Sequence, residues 1–272
     1  MNRIAGFIIG ALIFPLLVFG QRPMMMTQHA STLGKGHHEL GIGFEYLEKH
    51  VSPSPDVPQS MLRLFVVAIH QGIAENVDFD LDWRGRLIAQ LDDGKREFDW
   101  GDLTVSTKIN FFRERGYVPS VGVRNAVKLP NTTYALARLG SNQMDFHSHV
   151  LLSKHVGNIQ TRLNLGFSII GDPRSAGEQD DVYSLGAAVL LPFRETHRLF
   201  FELHGFTGYE DHDDKLVGRL GLFLNTGGIE YRLFSSIRIL GNNRDFATAF
   251  EGSENWSVGI MVTRAFKLHL FD

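Results

Sequence analysis

Residues 159–169 read Ile159-Gln160-Thr161-Arg162-Leu163-Asn164-Leu165-Gly166-Phe167-Ser168-Ile169. Apolar or lipid-tolerant side chains occupy the odd positions, whereas polar side chains or glycine occupy the even ones. Because successive side chains of a β-strand point to opposite faces, the stretch predicts a strand with one apolar and one polar face. Such a strand fits any antiparallel sheet, so the fold depends on how often the pattern returns.

The same alternation returns along the chain and indicates about twelve strands, without a convincing amphipathic helix. The predicted strands lie near residues 40–46, 61–70, 77–84, 103–111, 121–129, 146–152, 159–169, 183–191, 197–208, 216–224, 229–239 and 256–266. The alternation is poor in 61–70, where Arg63 suggests that the odd positions take the polar side.

The connections between these strands are sorted by length. Those after the even-numbered strands are short turns, whereas most of those after the odd-numbered strands are longer. Outer-membrane barrels have this arrangement, with short periplasmic turns, longer external loops and both termini in the periplasm. Closure also leaves no unpaired strand edge in lipid. The predicted fold of residues 37–272 is therefore all-β, a transmembrane antiparallel β-barrel of about 12 strands.

A secreted soluble all-β protein is the competing fold. It would pack its apolar faces between two sheets and leave its charged faces in water. This alternative explains neither the glycines and small residues of the polar faces nor the sorted connections.

The N-terminus has the form of a secretory signal peptide over residues 1–20. Arg3 precedes an apolar run, and the small residue Gly20 precedes Gln21, which predicts cleavage near Gly20. A transmembrane anchor is the alternative, but the run of about 16 residues is short against the roughly 20 that a span needs. Residues 21–36 are predicted to be a flexible lead-in, and the sequence leaves open whether they enter the barrel as a plug.

The bulk composition excludes several classes of protein. The net charge of -3 gives no sign of a nucleic-acid binder. The absence of cysteine excludes disulfides, zinc–thiolate sites and cysteine nucleophiles. The mean hydropathy of -0.07 is too low for a bundle of membrane helices.

Short glycine-containing motifs carry a resemblance to a known family. They are Leu33-Gly34-Lys35-Gly36, the stretch Leu40–Tyr46, Trp100-Gly101-Asp102-Leu103 and Val127-Lys128-Leu129-Pro130. Over most of the mature chain, the sequence resembles the outer-membrane family labelled "putative MetA-pathway-of-phenol-degradation" transporters. The resemblance implies an outer-membrane barrel that passes small organic compounds, and it supplies no catalytic residues. The last strand, with Phe266 and Phe271, resembles the signal read by the barrel-assembly machinery, although the final residue is Asp272.

Charged and histidine side chains on the polar faces are the candidate lining of the lumen. They are Asp78, Asp80, Asp82, Arg84, Lys108, Arg124, Lys128, His147, His149, Arg162, Arg219, Arg232 and Arg238. Two interpretations stay open, because unpaired charges are costly away from water. The side chains either form a salt-bridged, nearly closed interior that stabilises the barrel, or a polar lining that selects solutes.

Two patterns could carry other chemistry. His147 and His149 share a face with Asp145 and could chelate a metal, but the sequence identifies no third ligand, and polar lining is the simpler interpretation. Ser153 and His155 could form a hydrolase pair, but nothing marks either as activated. We therefore expect no metal, no cofactor and no catalytic residues.

The sequence as a whole predicts an outer-membrane channel or transporter for small solutes, with hydrophobic and aromatic compounds as the expected class. The alternatives are a lipid-modifying hydrolase of the outer membrane and a structural barrel without transport activity. The expected partners are outer-membrane lipid, the solute and the barrel-assembly machinery.

Overall fold

The computed structural model describes residues 25–51, 58–90, 94–131, 139, 143–171, 179–208, 214–241 and 254–268. Every regular element in these ranges is a β-strand. Among the described residues, no helix has the length and apolar character needed to cross a membrane. The predicted signal peptide and residues 21–24 lie outside the described ranges.

Fourteen strands follow one another along the chain. They are β1 (His37–Val51), β2 (Pro58–Ala74), β3 (Val77–Trp83), β4 (Arg86–Gln90), β5 (Arg96–Trp100), β6 (Leu103–Phe112), β7 (Ser120–Leu129), β8 (Asp145–Val156), β9 (Ile159–Gly171), β10 (Gln179–Pro192), β11 (Arg198–Thr207), β12 (Lys215–Thr226), β13 (Ile229–Leu240) and β14 (Trp256–Lys267).

The strands form a closed antiparallel barrel. β1 pairs with both β2 and β14, which joins the first and last strands of the sheet. β3 and β4 both pair with β2, so they are two parts of one barrel strand. β5 and β6 likewise form one strand, interrupted at Gly101. Twelve barrel strands result, and the predicted fold is confirmed.

The hairpin of β4 and β5 is an extension that the alternation pattern does not predict. Gly85, with a φ of 71°, separates β3 from β4. The Gly101 N–H donates to the Gly85 carbonyl over 2.7 Å, which carries the pairing across both interruptions. A positive φ suits glycine, because it lacks the Cβ that makes this conformation costly.

The exposed face of the barrel is apolar and the enclosed face is polar. In β9, Leu165 is 47% exposed, whereas Asn164 beside it is 3% exposed. Asp78 and Lys108 of the enclosed face have no exposed surface. A soluble sandwich would have the opposite arrangement, whereas a membrane barrel turns its apolar band to lipid.

A bulge in β2 explains the poor alternation of 61–70. Arg63 points inward, as the sequence predicts. Phe65 then adopts a φ of 58°, and the register between β1 and β2 shifts by one residue there. Because a bulge inserts one extra residue, it exchanges the two faces of the strand. After Phe65 the even positions point inward, and His70 is 2% exposed.

Candidate functional site in the barrel lumen

The lumen holds a segment of the chain's own N-terminal part, residues 25–36, which we term the lumen segment. Four residues of this segment are buried, and they are Met25, Thr27, Ala30 and Leu33. The segment contains no β-strand. The sequence leaves open whether residues 21–36 enter the barrel, and in the structure inward side chains from several strands bind the backbone of the lumen segment.

One group of contacts fixes the segment to β3 and β6. The Leu33 N–H donates to both carboxylate oxygens of Asp78, over 3.0 and 3.1 Å. The Lys108 ammonium donates to the carbonyls of Ser31 and His29 over 2.7 and 3.2 Å. Lys108 also lies 3.4 Å from Asp78, so the two wall residues and the segment form one buried network.

A second group of contacts holds residues 27–30 of the segment. The Arg162 guanidinium donates to the Thr27 carbonyl over 3.2 Å. The carboxylate of Glu202 accepts the Thr27 N–H. The Ala30 N–H donates to the Ser153 hydroxyl over 3.3 Å. β8, β9 and β11 therefore all contribute to the binding of the segment.

Other inward charges pair within the wall. Arg63 lies 2.7 Å from Glu45, and Arg232 lies 2.7 Å from Glu39. Lys128 pairs with Asp145. Such pairing offsets part of the cost of burying each charge. In this part of the wall, the ion pairs favour the interpretation of a salt-bridged interior over that of a polar lining that selects solutes.

A cavity of about 160 Å³ remains beside Met25 and Met26. Seven of the thirteen predicted lumen residues line it, and they are Asp82, Arg84, Arg124, Lys128, His147, His149 and Arg219. The lumen therefore contains the lumen segment and, beside it, a cavity with polar and apolar walls.

The other six predicted residues lie elsewhere on the inner face. Asp78, Lys108 and Arg162 contact the lumen segment. Asp80 lies 3.9 Å from His70. Arg232 pairs with Glu39 and Glu230, and Arg238 donates to Asn255 over 2.6 Å at the edge of the barrel.

Several inward residues lie beyond the predicted set. They are Glu39, Glu45, Arg63, His70, Glu202 and His204. The alternation of β1 places Glu39 and Glu45 on its polar face, so their positions could have been included from sequence. The bulge at Phe65 moves His70 to the inner face, so the alternation pattern does not indicate its inward position.

Histidine and serine side chains meet twice in the wall, but the arrangement lacks the parts of a hydrolase. His149 Nε2 lies 2.6 Å from the Ser184 hydroxyl, and His147 Nδ1 lies 2.8 Å from that of Ser168. Both serines are buried and neither lines the cavity. The charged neighbour of His149 is Arg124, whereas a triad places a carboxylate there.

The Ser153–His155 pair and the proposed metal ligand Asp145 contact other partners. Ser153 binds Ala30, and His155 lies 2.7 Å from Glu114. Asp145 binds Lys128 and the Gly171 N–H, rather than a histidine. Across the described part of the chain, no three His, Asp or Glu side chains are grouped as metal ligands.

A carboxylate in the turn between β6 and β7 gives the barrel a pH-dependent contact. Burial raises the pKa of Glu114, but hydrogen bonds from Lys154 and His155 outweigh it and lower the pKa from 4.5 to about 2. A lowered pKa stabilises the folded state above the unfolded value. The contribution is complete above about pH 4.5 and disappears as the pH falls through 2.

Glu114→Gln is therefore expected to lower the thermal unfolding temperature at pH 7, with the difference from wild type shrinking between pH 4.5 and 2. Thermal unfolding in detergent at pH 7, 4 and 2.5 measures it. Glu75→Gln is the matched control, because the Glu75 side chain is 73% exposed and its pair with Arg113 is 3.5 Å long. An equal loss for Glu114→Gln at all three pH values would contradict the expectation.

Comparison with known proteins agrees with the geometry. The family model described as "Putative MetA-pathway of phenol degradation" matches residues 30–232. A search of curated proteins gives no match. An outer membrane channel from Pseudomonas putida F1 has a similar structure, with a TM-score of 0.65, 15% identity, and coverage of 87% of this chain and 98% of that chain.

Two porins are also similar in fold. NanC porin has a TM-score of 0.56 at 10% identity, covering 84% of this chain and 100% of its own. KdgM porin has a TM-score of 0.51 at 8% identity, covering 83% and 99%. At such identities the likeness shows the fold alone. The family model, in contrast, spans the chain from the lumen segment into β13, and the protein therefore belongs to the family described as "Putative MetA-pathway of phenol degradation".

Proposed function

We propose that this protein is an outer-membrane channel for small organic solutes, and that the lumen segment closes it at rest. The family description, with its reference to phenol degradation, supports aromatic compounds as the solute class. The similar structures include an outer membrane channel and two porins. Export by the predicted signal peptide, and insertion by the barrel-assembly machinery through the last strand, are part of the proposal.

The observation that carries the proposal is the way in which the lumen is filled. A structural barrel would fill it with interlocking side chains of the wall. Here a separate stretch of chain occupies part of the lumen, and a cavity of about 160 Å³ remains beside it. The segment is bound largely through hydrogen bonds to charged side chains, each of which contributes about 1.5–3 kcal/mol. A segment bound in this way can leave the lumen while the barrel strands stay paired.

The hydrolase alternative has no comparable support, since the buried serines do not reach the cavity. The purely structural barrel remains the main competitor, and electrical measurement separates it from a channel. A structural barrel carries no current whether or not the lumen segment is present.

Deletion of residues 25–33 is expected to convert a mostly closed barrel into a steadily conducting one. Single-channel recording in planar bilayers would compare the refolded chain without its predicted signal peptide against the deletion variant. We expect the time-averaged current to rise at least tenfold. Leu165→Ala, on the lipid face, is the control that leaves the lumen unchanged.

Heat-modifiable gel mobility would confirm that each variant has formed its barrel before recording. A deletion variant that folds and still carries no current would overturn the channel proposal and leave the structural barrel. Equal steady current from both forms would retain the channel and reject its closure by the lumen segment.

A further inference from the structure

We propose that the lumen cavity binds a single-ring aromatic carboxylate, with its ring against the methionine-rich wall and its carboxylate on arginine. The inference rests on the proposed channel function and specifies the chemistry of its solute. It follows from three properties of the cavity, which are its size, its apolar surface and the charge of its lining.

The size of the cavity suits one aromatic ring. Its volume is about 160 Å³. An engineered protein cavity of about 150 Å³ accepts benzene, so a single ring with one small substituent is of a size that suits this cavity. Displacement of the lumen segment would then provide a path out of the cavity.

Four methionines contribute to the apolar surface of the cavity, beside Val66, Trp83, Leu87, Leu139, Phe206 and Phe234. Met25 and Met26 belong to the lumen segment, and Met61 and Met261 belong to the wall. Methionine is flexible and polarisable, and its sulfur makes favourable contacts with aromatic rings. Phe234 adds an aromatic surface. Together they form a wall that adapts to flat apolar solutes.

The charged lining is predominantly basic. The basic residues are Arg63, Arg84, Arg124, Lys128 and Arg219, and the acidic residues are Glu45, Asp82 and Asp102. The lining thus has two more basic than acidic side chains, and an excess of one remains when Asp145, which pairs with Lys128, is counted as well. A solute with one negative charge would reduce this excess, whereas a cation would add to it.

The acidic residues are already engaged. Glu45 lies 2.7 Å from Arg63, and Asp102 lies 3.8 Å from Lys128. Asp82 of β3 lies 3.4 Å from His70 of the neighbouring strand β2. The cavity's acids therefore all have basic partners in the wall.

Arg124 is a lining arginine that can supply a donor to a solute. Its Nε is buried and makes no hydrogen bond within the described structure. A guanidinium presents its N–H groups as a planar fork that matches a carboxylate, and an unmet buried donor is costly. The guanidinium of Arg219 lies 4.7 Å from the centre of the Phe234 ring, so cationic and apolar surfaces adjoin in the cavity. An aromatic carboxylate combines both complementary features.

Isothermal titration of the refolded protein in detergent with three probes tests the inference. Benzoate carries ring and charge, benzyl alcohol carries the ring alone, and acetate carries the charge alone. We expect benzoate to bind at least tenfold more tightly than either of the others. Equal affinity for benzoate and benzyl alcohol, or for benzoate and acetate, would overturn the inference.

Arg124→Gln is expected to weaken benzoate binding at least tenfold and to leave benzyl alcohol unchanged. Arg238→Gln is the matched control, because Arg238 lies outside the cavity and binds Asn255. An unchanged benzoate affinity in Arg124→Gln would reject the assigned donor. If that variant does not fold, the three-probe comparison on the wild type decides the inference by itself.

The titration does not need an open pore, so the two proposals fail separately. Absence of benzoate binding together with current from the deletion variant would reject the carboxylate and keep the channel. Benzoate binding together with a silent deletion variant would keep the binding site and reject the channel.

Discussion

Replacing Gly72 with valine is expected to produce a channel that stays open at rest. Gly72 lies on the inner face of β2, where a Cβ would come within 1.9 Å of the Gly34 carbonyl oxygen and 2.7 Å of its carbon. Because both atoms are backbone, the lumen segment must move away. The same movement breaks the 2.9 Å hydrogen bond from the Gly36 N–H to the Gly72 carbonyl.

Single-channel recording of Gly72→Val should therefore show the same steady current as the deletion of residues 25–33, and at least ten times the time-averaged current of wild type. Gly218→Ala is the matched control in another strand. A Cβ there would meet only side-chain atoms, of Ile239 at 2.9 Å and Leu203 at 3.8 Å. A folded Gly72→Val barrel that remains as closed as wild type would show that the segment does not close the pore.

The barrel could be predicted from sequence because lipid imposes a strict pattern on each strand. Lipid-facing positions such as Leu165 must be apolar, and the neighbouring Asn164 faces the enclosed lumen, so the period of two survives along most strands. The pattern assumes a constant register, and the bulge at Phe65 breaks that assumption. A single inserted residue was enough to hide the inward position of His70.

The lumen segment could not be predicted in the same way. Its backbone is bound by side chains that are distant in sequence, such as Asp78, Ser153 and Glu202. These contacts leave no periodic signal in residues 25–36. The sequence could indicate which charges face inward, but the division into segment contacts, wall pairs and cavity lining depends on the three-dimensional arrangement.

Lys108→Met is expected to cause a large loss of stability. Lys108 and Asp78 have no exposed surface, and Lys108 is the cation that pairs with this carboxylate at 3.4 Å. Removing one partner of a buried ion pair costs about 3–5 kcal/mol, because the other charge remains in a poorly solvated site. The variant also loses two hydrogen bonds to the lumen segment, to His29 and Ser31.

Urea unfolding in lipid vesicles, followed by heat-modifiable gel mobility, measures the loss for Lys108→Met. Lys35→Met is the control, because Lys35 is exposed. A loss below about 1 kcal/mol, the size expected for an exposed pair, would show that water reaches Asp78 and that this part of the lumen is not closed.

The double variant Asp78→Asn and Lys108→Met separates the two interpretations of the charged lumen. Asparagine keeps an oxygen that can accept the Leu33 N–H, now 3.0 Å from Asp78, but removes the buried charge. If burial of an unpaired charge is the main cost, the double variant should regain more than half of the stability that Lys108→Met loses. Losses that simply add would mean that each side chain acts separately. Recovery together with a rise in channel current would show that this pair stabilises the closed state, and would leave solute selection to the arginines of the cavity.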